Sequence, residues 1–141
     1  MGSVDLGSIP VGSTVLLDTA PIIYFFEHHP TFEAHFAPVF EAHADGQIEF
    51  AISSITVAEL LVRPFQRGNE ALARTYRTRL MSWLCVEVSA DIAESAARIR
   101  ASHGVRLADA IQAATAIAIS AAALVSNDKA FQQIPSLRIL G

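Results

Sequence analysis

A chain of 141 residues, 52% of them apolar, suits one domain and has enough apolar surface to fill a core, which excludes a disordered segment. The net charge of −4 leans against a nucleic-acid binder, a point softened by one basic segment in an otherwise acidic chain. The single cysteine, Cys85, excludes a disulfide framework and a cysteine-rich zinc site, and suits a reducing, cytoplasmic setting.

Residues 1–13 are rich in Gly and Ser and read as a flexible lead-in, with no basic stretch ahead of an apolar run; residues 14–141 read as the folded domain. Thr14 to Leu17 is a short buried strand. Pro21 then opens an apolar helix through Phe26. A second helix runs from about Thr31 to Ala44, with a kink expected at Pro38. Ile48 to Ile52 is the next strand, and Ser53 or Ser54 caps a helix from Ile55 to Val62. Pro64 and Gly68 punctuate the chain before a longer helix to about Trp83, with the stripe Leu72, Tyr76, Leu80 and Trp83. Cys85 to Val88 is a third strand. Ser89 caps a helix that Gly104 ends. A helix from Leu107 to Ala121, a strand from Ala123 to Ser126, a short helix from Asp128 to Pro135 and a strand from Leu137 to Leu140 complete the chain. The Ala-rich stretch from Ala110 to Val125 is too short and too polar to span a membrane. Strand and helix alternate throughout, which predicts an α/β fold: one open parallel sheet of about five strands with helices on both faces.

In such a sheet, ligands bind beyond the C-terminal strand ends at the switch in strand order. Asp18 follows the first strand, Asp128 follows the fourth, and Glu59 and Asp109 lie on helices leaving or entering the same edge. Taken singly, Asp18 and Asp128 suit helix caps, Glu59 an exposed helix position and Asp109 a helix N-terminus. Taken together, four acids converge on one edge, and clustered carboxylates call for a cation. On the helix wheel, Ala110, Ile111, Ala114, Ile117, Ala118 and Ala121 form a broad apolar face. The opposite stripe, Asp109, Gln112, Ala116 and Ser120, lacks Lys and Glu and is expected to be largely buried. In the basic segment Arg63 to Arg79, only Glu70 opposes five arginines. Arg74 and Arg77 lie opposite the apolar stripe and are candidates for contact with phosphate groups of a substrate, as are Arg106 and Lys129 beside two of the acids.

At Leu16-Leu17-Asp18-Thr19-Ala20-Pro21-Ile22, Ser54-Ile55-Thr56-Val57-Ala58-Glu59-Leu60, Arg106-Leu107-Ala108-Asp109-Ala110 and Leu124-Val125-Ser126-Asn127-Asp128, the chain resembles a PIN domain, and specifically a VapC-type toxin ribonuclease of a toxin–antitoxin pair. The resemblance runs from about Thr14 to the C-terminus and departs at Ala20, where the family often has Asn or Ser. It implies a PIN-like fold and catalytic, metal-binding roles for Asp18, Glu59, Asp109 and Asp128, with Thr19, Ser126 and Asn127 supporting them. It also implies Mg²⁺ or Mn²⁺, an RNA substrate cut by water, a cognate antitoxin that inserts a basic side chain near the acids, and a homodimer. Two alternatives stand beside this. One is a non-catalytic PIN-like binding module. The other is a metal-independent ribonuclease using Arg98 and His103, whose R-x4-H spacing matches HEPN-type enzymes but whose all-helical fold conflicts with the strands here. His28, His29, His35 and His43 cluster in sequence without the constant facing that a metal or acid–base set needs. A second Asp at position 20 would be needed for a haloacid-dehalogenase phosphatase, and a P-loop is excluded by the missing glycine-rich lysine motif.

Overall fold

The computed structural model describes residues 2–141, so Met1, the first residue of the expected lead-in, lies outside them. Its elements are β1 (Thr14–Leu17), α1 (Thr19–Phe26), α2 (Phe32–Ala44), β2 (Glu49–Ser53), α3 (Ser54–Gln66), α4 (Glu70–Leu80), β3 (Leu84–Val86), α5 (Ala90–His103), α6 (Leu107–Ala118), β4 (Ala123–Val125), a 3-10 turn (Lys129–Gln133) and β5 (Ile139–Leu140). All five strands are parallel, in the order β3-β2-β1-β4-β5. The single α/β domain with helices on both faces is as the alternation of elements predicted.

Strand periodicity divides the core in two. Val15 and Leu17 of β1, Phe50 and Ile52 of β2 and Val125 of β4 join one cluster with Ile22, Phe36, Val39, Leu60, Tyr76 and Leu80. Leu16, Ala51 and Leu124 point the other way, to Ile92, Ala96, Ala110, Ala113, Ala114 and Phe131. Because β1 is buried on both faces, its sequence is a continuous apolar run rather than an alternation. Burying a side chain such as Leu16, with none of its surface exposed, contributes roughly 2–3 kcal/mol.

The caps read from the sequence are made. Ser53 accepts from the Ile55 N–H at 3.2 Å and Ser89 from the Ile92 N–H at 3.2 Å, and Gly104 ends α5 in the left-handed conformation at φ 68°.

Several boundaries differ. The helix expected to stop at Val62 continues to Gln66 through Pro64, whose ring is buried beside Leu60, Leu72 and Tyr76. Proline in a helix interior costs about 3 kcal/mol, and burial of the apolar side chains of α3 outweighs it. The helix expected to reach Trp83 ends at Leu80, and Trp83 packs from the following turn edge-on against Phe50 at 5.2 Å. The helix expected to reach Ala121 ends at Ala118, where Ser120 adopts φ +52° and turns the chain towards β4. Ile117 and Ala118 of the expected apolar face are therefore exposed, whereas Asp109, Gln112 and Ala116 of the opposite stripe are buried; Ser120 lies beyond the helix and is exposed. Helix α2 is continuous through Pro38.

Residues 2–13 form no helix or strand, yet Val4 is buried and its N–H donates to the His35 carbonyl at 2.9 Å. The histidines do not form one set: His28 pairs with Glu33, His29 lies beside Tyr24, and His43 stacks on Phe50 with ring centroids 4.1 Å apart. Among the described residues no helix is long and apolar enough to cross a membrane.

Candidate active site

The strand order reverses between β1 and its neighbours, with β2 on one side and β4 on the other, so a crevice opens at their C-terminal ends. Asp18 leaves β1 there, and its N–H donates to the Val125 carbonyl of β4 at 3.0 Å. Helix α6 runs back from this edge to feed β4, which places Asp109, in its first turn, at the crevice. Glu59 lies in the second turn of α3, which starts where β2 ends. Asp128 caps the 3-10 turn just past β4. All four acids line one cleft of about 390 Å³, with Thr19, Ala20, Ile23, Arg106, Ala108, Gln112 and Asn127.

The bland roles and the convergence coexist. Asp18 caps α1, accepting from the Thr19 N–H at 2.9 Å, and its second oxygen accepts from the Ser126 hydroxyl at 2.8 Å. Asp128 accepts from the Ala130 N–H at 2.9 Å, and its own N–H donates to Ser126 Oγ at 3.0 Å. Ser126 thus ties two of the acids together. Burial pushes Asp18 up from 3.8 to about 6, with smaller contributions in the same direction from the charges of Asp109 and Glu59; the bonds from Ser126 and Thr19 oppose the rise.

Glu59 belongs to an exposed stretch of helix, but its side chain is held. Thr19 Oγ1 donates to Glu59 Oε1 at 2.7 Å, Thr19 and Thr56 hydroxyls are 3.1 Å apart, and Gln112 Nε2 donates to Thr56 Oγ1 at 2.8 Å. Because Thr19 spends its proton on the carboxylate, Thr56 must donate to Thr19, and Gln112 to Thr56. The chain of donors therefore has one direction, ending on Glu59. Gln112 Oε1 is left buried with no hydrogen-bond partner among the described residues. Asp109 is almost fully buried, and Arg106 donates to both of its oxygens, Nε to Oδ2 at 3.1 Å and Nη2 to Oδ1 at 3.3 Å. The same guanidinium approaches Asp128 Oδ2 at 3.7 Å.

The sequence-predicted residues thus separate. Asp18, Thr19, Glu59, Arg106, Asp109, Asn127 and Asp128 line the cleft, and Ser126 lies beneath it, bonded to Asp18. Lys129 is exposed at the adjoining depression with Asn127 and Asp128. Arg74 and Arg77 are exposed on α4 and are not among the cleft residues. Arg98 pairs with Glu94 at 3.7 Å on α5, and neither it nor His103 lines the cleft. Sequence reasoning missed Arg63 and Arg67, which line a groove that shares Ile23 and Glu59 with the cleft. The available signal was the arginine-rich run itself; with the helix expected to stop at Val62, nothing placed Arg63 in the last turn of α3 and Arg67 at its C-cap, on the same element as Glu59. It also missed the Thr56–Gln112 support, which joins side chains 56 positions apart.

The donors suit a hard divalent cation: they are carboxylate oxygens, and burial, the main cause of the rise at Asp18, makes its charge costly without a cationic partner. The arrangement is not a closed cage. Among the described residues no group of three or more His, Cys, Asp or Glu side chains is drawn together as a ready coordination set. Asp109 is turned to Arg106 instead.

Comparisons with known proteins agree with this architecture. A family model described as the PIN domain matches residues 15–137. Among solved structures, a toxin–antitoxin complex from Klebsiella pneumoniae is 27% identical, covering 87% of this chain and 94% of the other, with a TM-score of 0.69. VapBC2 from Rickettsia felis, bound to a DNA fragment from its promoter, is 23% identical, with coverage of 89% and 96% and a TM-score of 0.71. DNA-bound VapBC from Salmonella typhimurium is 24% identical, with coverage of 90% and 96% and a TM-score of 0.69. A search of curated proteins gave no match.

Proposed function

The chain belongs to the PIN-domain family of nuclease-type hydrolases, and from that premise we propose that it is the toxin of a toxin–antitoxin pair, an endoribonuclease that hydrolyses RNA phosphodiester bonds with Mg²⁺ or Mn²⁺. The observation that carries the reading is the meeting of four carboxylates, from segments spread between positions 18 and 128, in one cleft at the strand switch point. Kinship with the Klebsiella complex, itself a toxin with its antitoxin, supports the toxin assignment.

Asp18, Glu59, Asp109 and Asp128 would hold the metal. When bound, such an ion acidifies water and neutralises charge on the scissile phosphate and the leaving oxygen. The rest is done by the chain itself. Ser126 and the Thr19 N–H fix both oxygens of Asp18, so that its carboxylate is pre-oriented. Thr19 holds Glu59 Oε1 and leaves Oε2 without a protein hydrogen bond among the described residues. Asn127 offers an amide at the cleft wall. Arg63 and Arg67, beside the cleft and without ion-pair partners among the described residues, suit the flanking phosphates of an RNA strand. Arg106 and Lys129 suit phosphates nearer the acids, and Arg74 and Arg77 ones further along the strand.

With water as nucleophile, cleavage leaves a 5′-phosphate and a 3′-hydroxyl. Incubation of the protein with RNA is therefore expected to give such ends in Mg²⁺ and none in chelator. Cleavage that persists in chelator, or 2′,3′-cyclic ends, overturns the reading and favours the metal-independent alternative. A protein antitoxin and a second copy of the chain are the partners proposed. Val62 and Phe65 on α3, and Leu107 and Ile117 on α6, each about half exposed, offer apolar surface for such contacts. A second reading, a non-catalytic binding module, is favoured by one observation, the Arg106 clasp on Asp109 in place of a ready coordination set.

A further inference from the structure

Arg106 stands at the N-cap of α6 in extended backbone (φ −60°, ψ 150°) and gives the helix no side-chain cap. Its guanidinium reaches forward to make two hydrogen bonds to Asp109 and to approach Asp128 at 3.7 Å. The arginine side chain is 77% exposed, whereas that of Asp109 is 7% exposed. A buried carboxyl group needs its oxygens paired, and this clasp supplies a donor to each oxygen of Asp109. The two acids it spans come from different elements, α6 and the loop after β4, and both are among the four assigned to metal above. A guanidinium seated against these carboxylates repels a divalent cation brought to the same oxygens. The two therefore compete for the same oxygens.

We propose that Arg106 is a resident counter-ion: it pairs with Asp109 and Asp128 and must be displaced for a divalent cation to bind, so that it weakens metal affinity while it holds these two acids together without metal. This rests on the metal-site reading and deepens it. The exposure of the side chain makes displacement feasible, because the swung-out guanidinium regains water rather than leaving a buried charge behind.

The test is Mn²⁺ titration calorimetry on wild type, Arg106→Gln and Lys129→Gln, with thermal unfolding of each in chelator and in Mn²⁺. Lys129→Gln removes the same charge from the same rim at a residue that makes no ion pair among the described residues. Arg106→Gln is expected to bind Mn²⁺ about tenfold more tightly than wild type, the factor that one charge-assisted hydrogen bond is worth. Lys129→Gln should change affinity by less than about threefold, since an exposed charge is screened. In chelator Arg106→Gln should unfold at lower temperature than wild type, and Mn²⁺ should raise its midpoint by more. Arg106→Lys, which keeps the charge but loses the two-pronged geometry, should fall between the two and decides the matter if the glutamine variant folds poorly. Wild-type binding with equal or weaker binding by the Arg106 variants overturns the counter-ion and leaves the metal site standing. No Mn²⁺ binding by any of the proteins overturns the metal site, and the competition with it.

Discussion

In Mg²⁺, Asp18→Asn is expected to cleave RNA at least about a hundredfold more slowly than wild type, and Asp109→Asn is expected to do the same, the scale of loss that follows when charge stabilisation of a transition state is removed. Asparagine keeps the size of the side chain and is as good an N-cap as aspartate, so α1 retains its start in Asp18→Asn and the bond from the Thr19 N–H is preserved. What disappears is the negative charge. The loss should therefore appear with an unchanged circular dichroism spectrum. Wild-type rates in either variant contradict the assignment of these carboxylates to catalysis.

The same Asp18→Asn substitution should make the metal-free protein more stable at neutral pH, by about 1–3 kcal/mol. The cause is the rise of the Asp18 pKa from 3.8 to about 6, due first to burial. A folded-state pKa above the unfolded one means that the folded protein holds the proton more tightly. The stability from this proton is complete below about pH 4 and is lost as pH rises through about 6. The full difference corresponds to roughly 3 kcal/mol, part of which the asparagine amide gives back through poorer pairing with Ser126. Urea unfolding in chelator at about pH 7.5 and about pH 4 measures it. The variant should lead at the higher pH and lose its lead at the lower, because protonated Asp18 and the asparagine that replaces it are both neutral. A variant less stable than wild type at both pH values would show that the carboxylate is not under the strain described. An active-site group that costs stability and supplies function is the general pattern of catalytic sites.

The fold was legible because its signals are local. Leu16 and Leu17 between a strand start and a capping Asp, Ser89 before α5 and Gly104 after it each fix a boundary through backbone chemistry alone. The errors came where packing outweighed a local rule: Pro64 inside α3, where buried neighbours hold the helix, and Ser120, whose left-handed turn no propensity demands. The four acids could be brought to one edge from topology, since a helix feeding a parallel strand must begin near the edge where the strands end. Their partners could not. The Ser126–Asp18 bond spans 108 positions and the Gln112–Thr56 bond 56, and nothing in the local sequence encodes which hydroxyl meets which carboxylate. Arg106 beside Asp109 was visible as a neighbour in sequence, but that its guanidinium grips both oxygens, rather than turning to solvent, depends on the burial of Asp109.

Catalysis of the kind proposed requires a divalent cation to settle among these carboxylates. A crystal of the protein soaked in Mn²⁺ and measured at the manganese edge is the most direct test. An anomalous peak within coordinating distance, about 2–2.5 Å, of oxygens from Asp18 and at least one of Glu59, Asp109 and Asp128 is the predicted result. No peak at saturating Mn²⁺, or a peak only at some other surface, would contradict it.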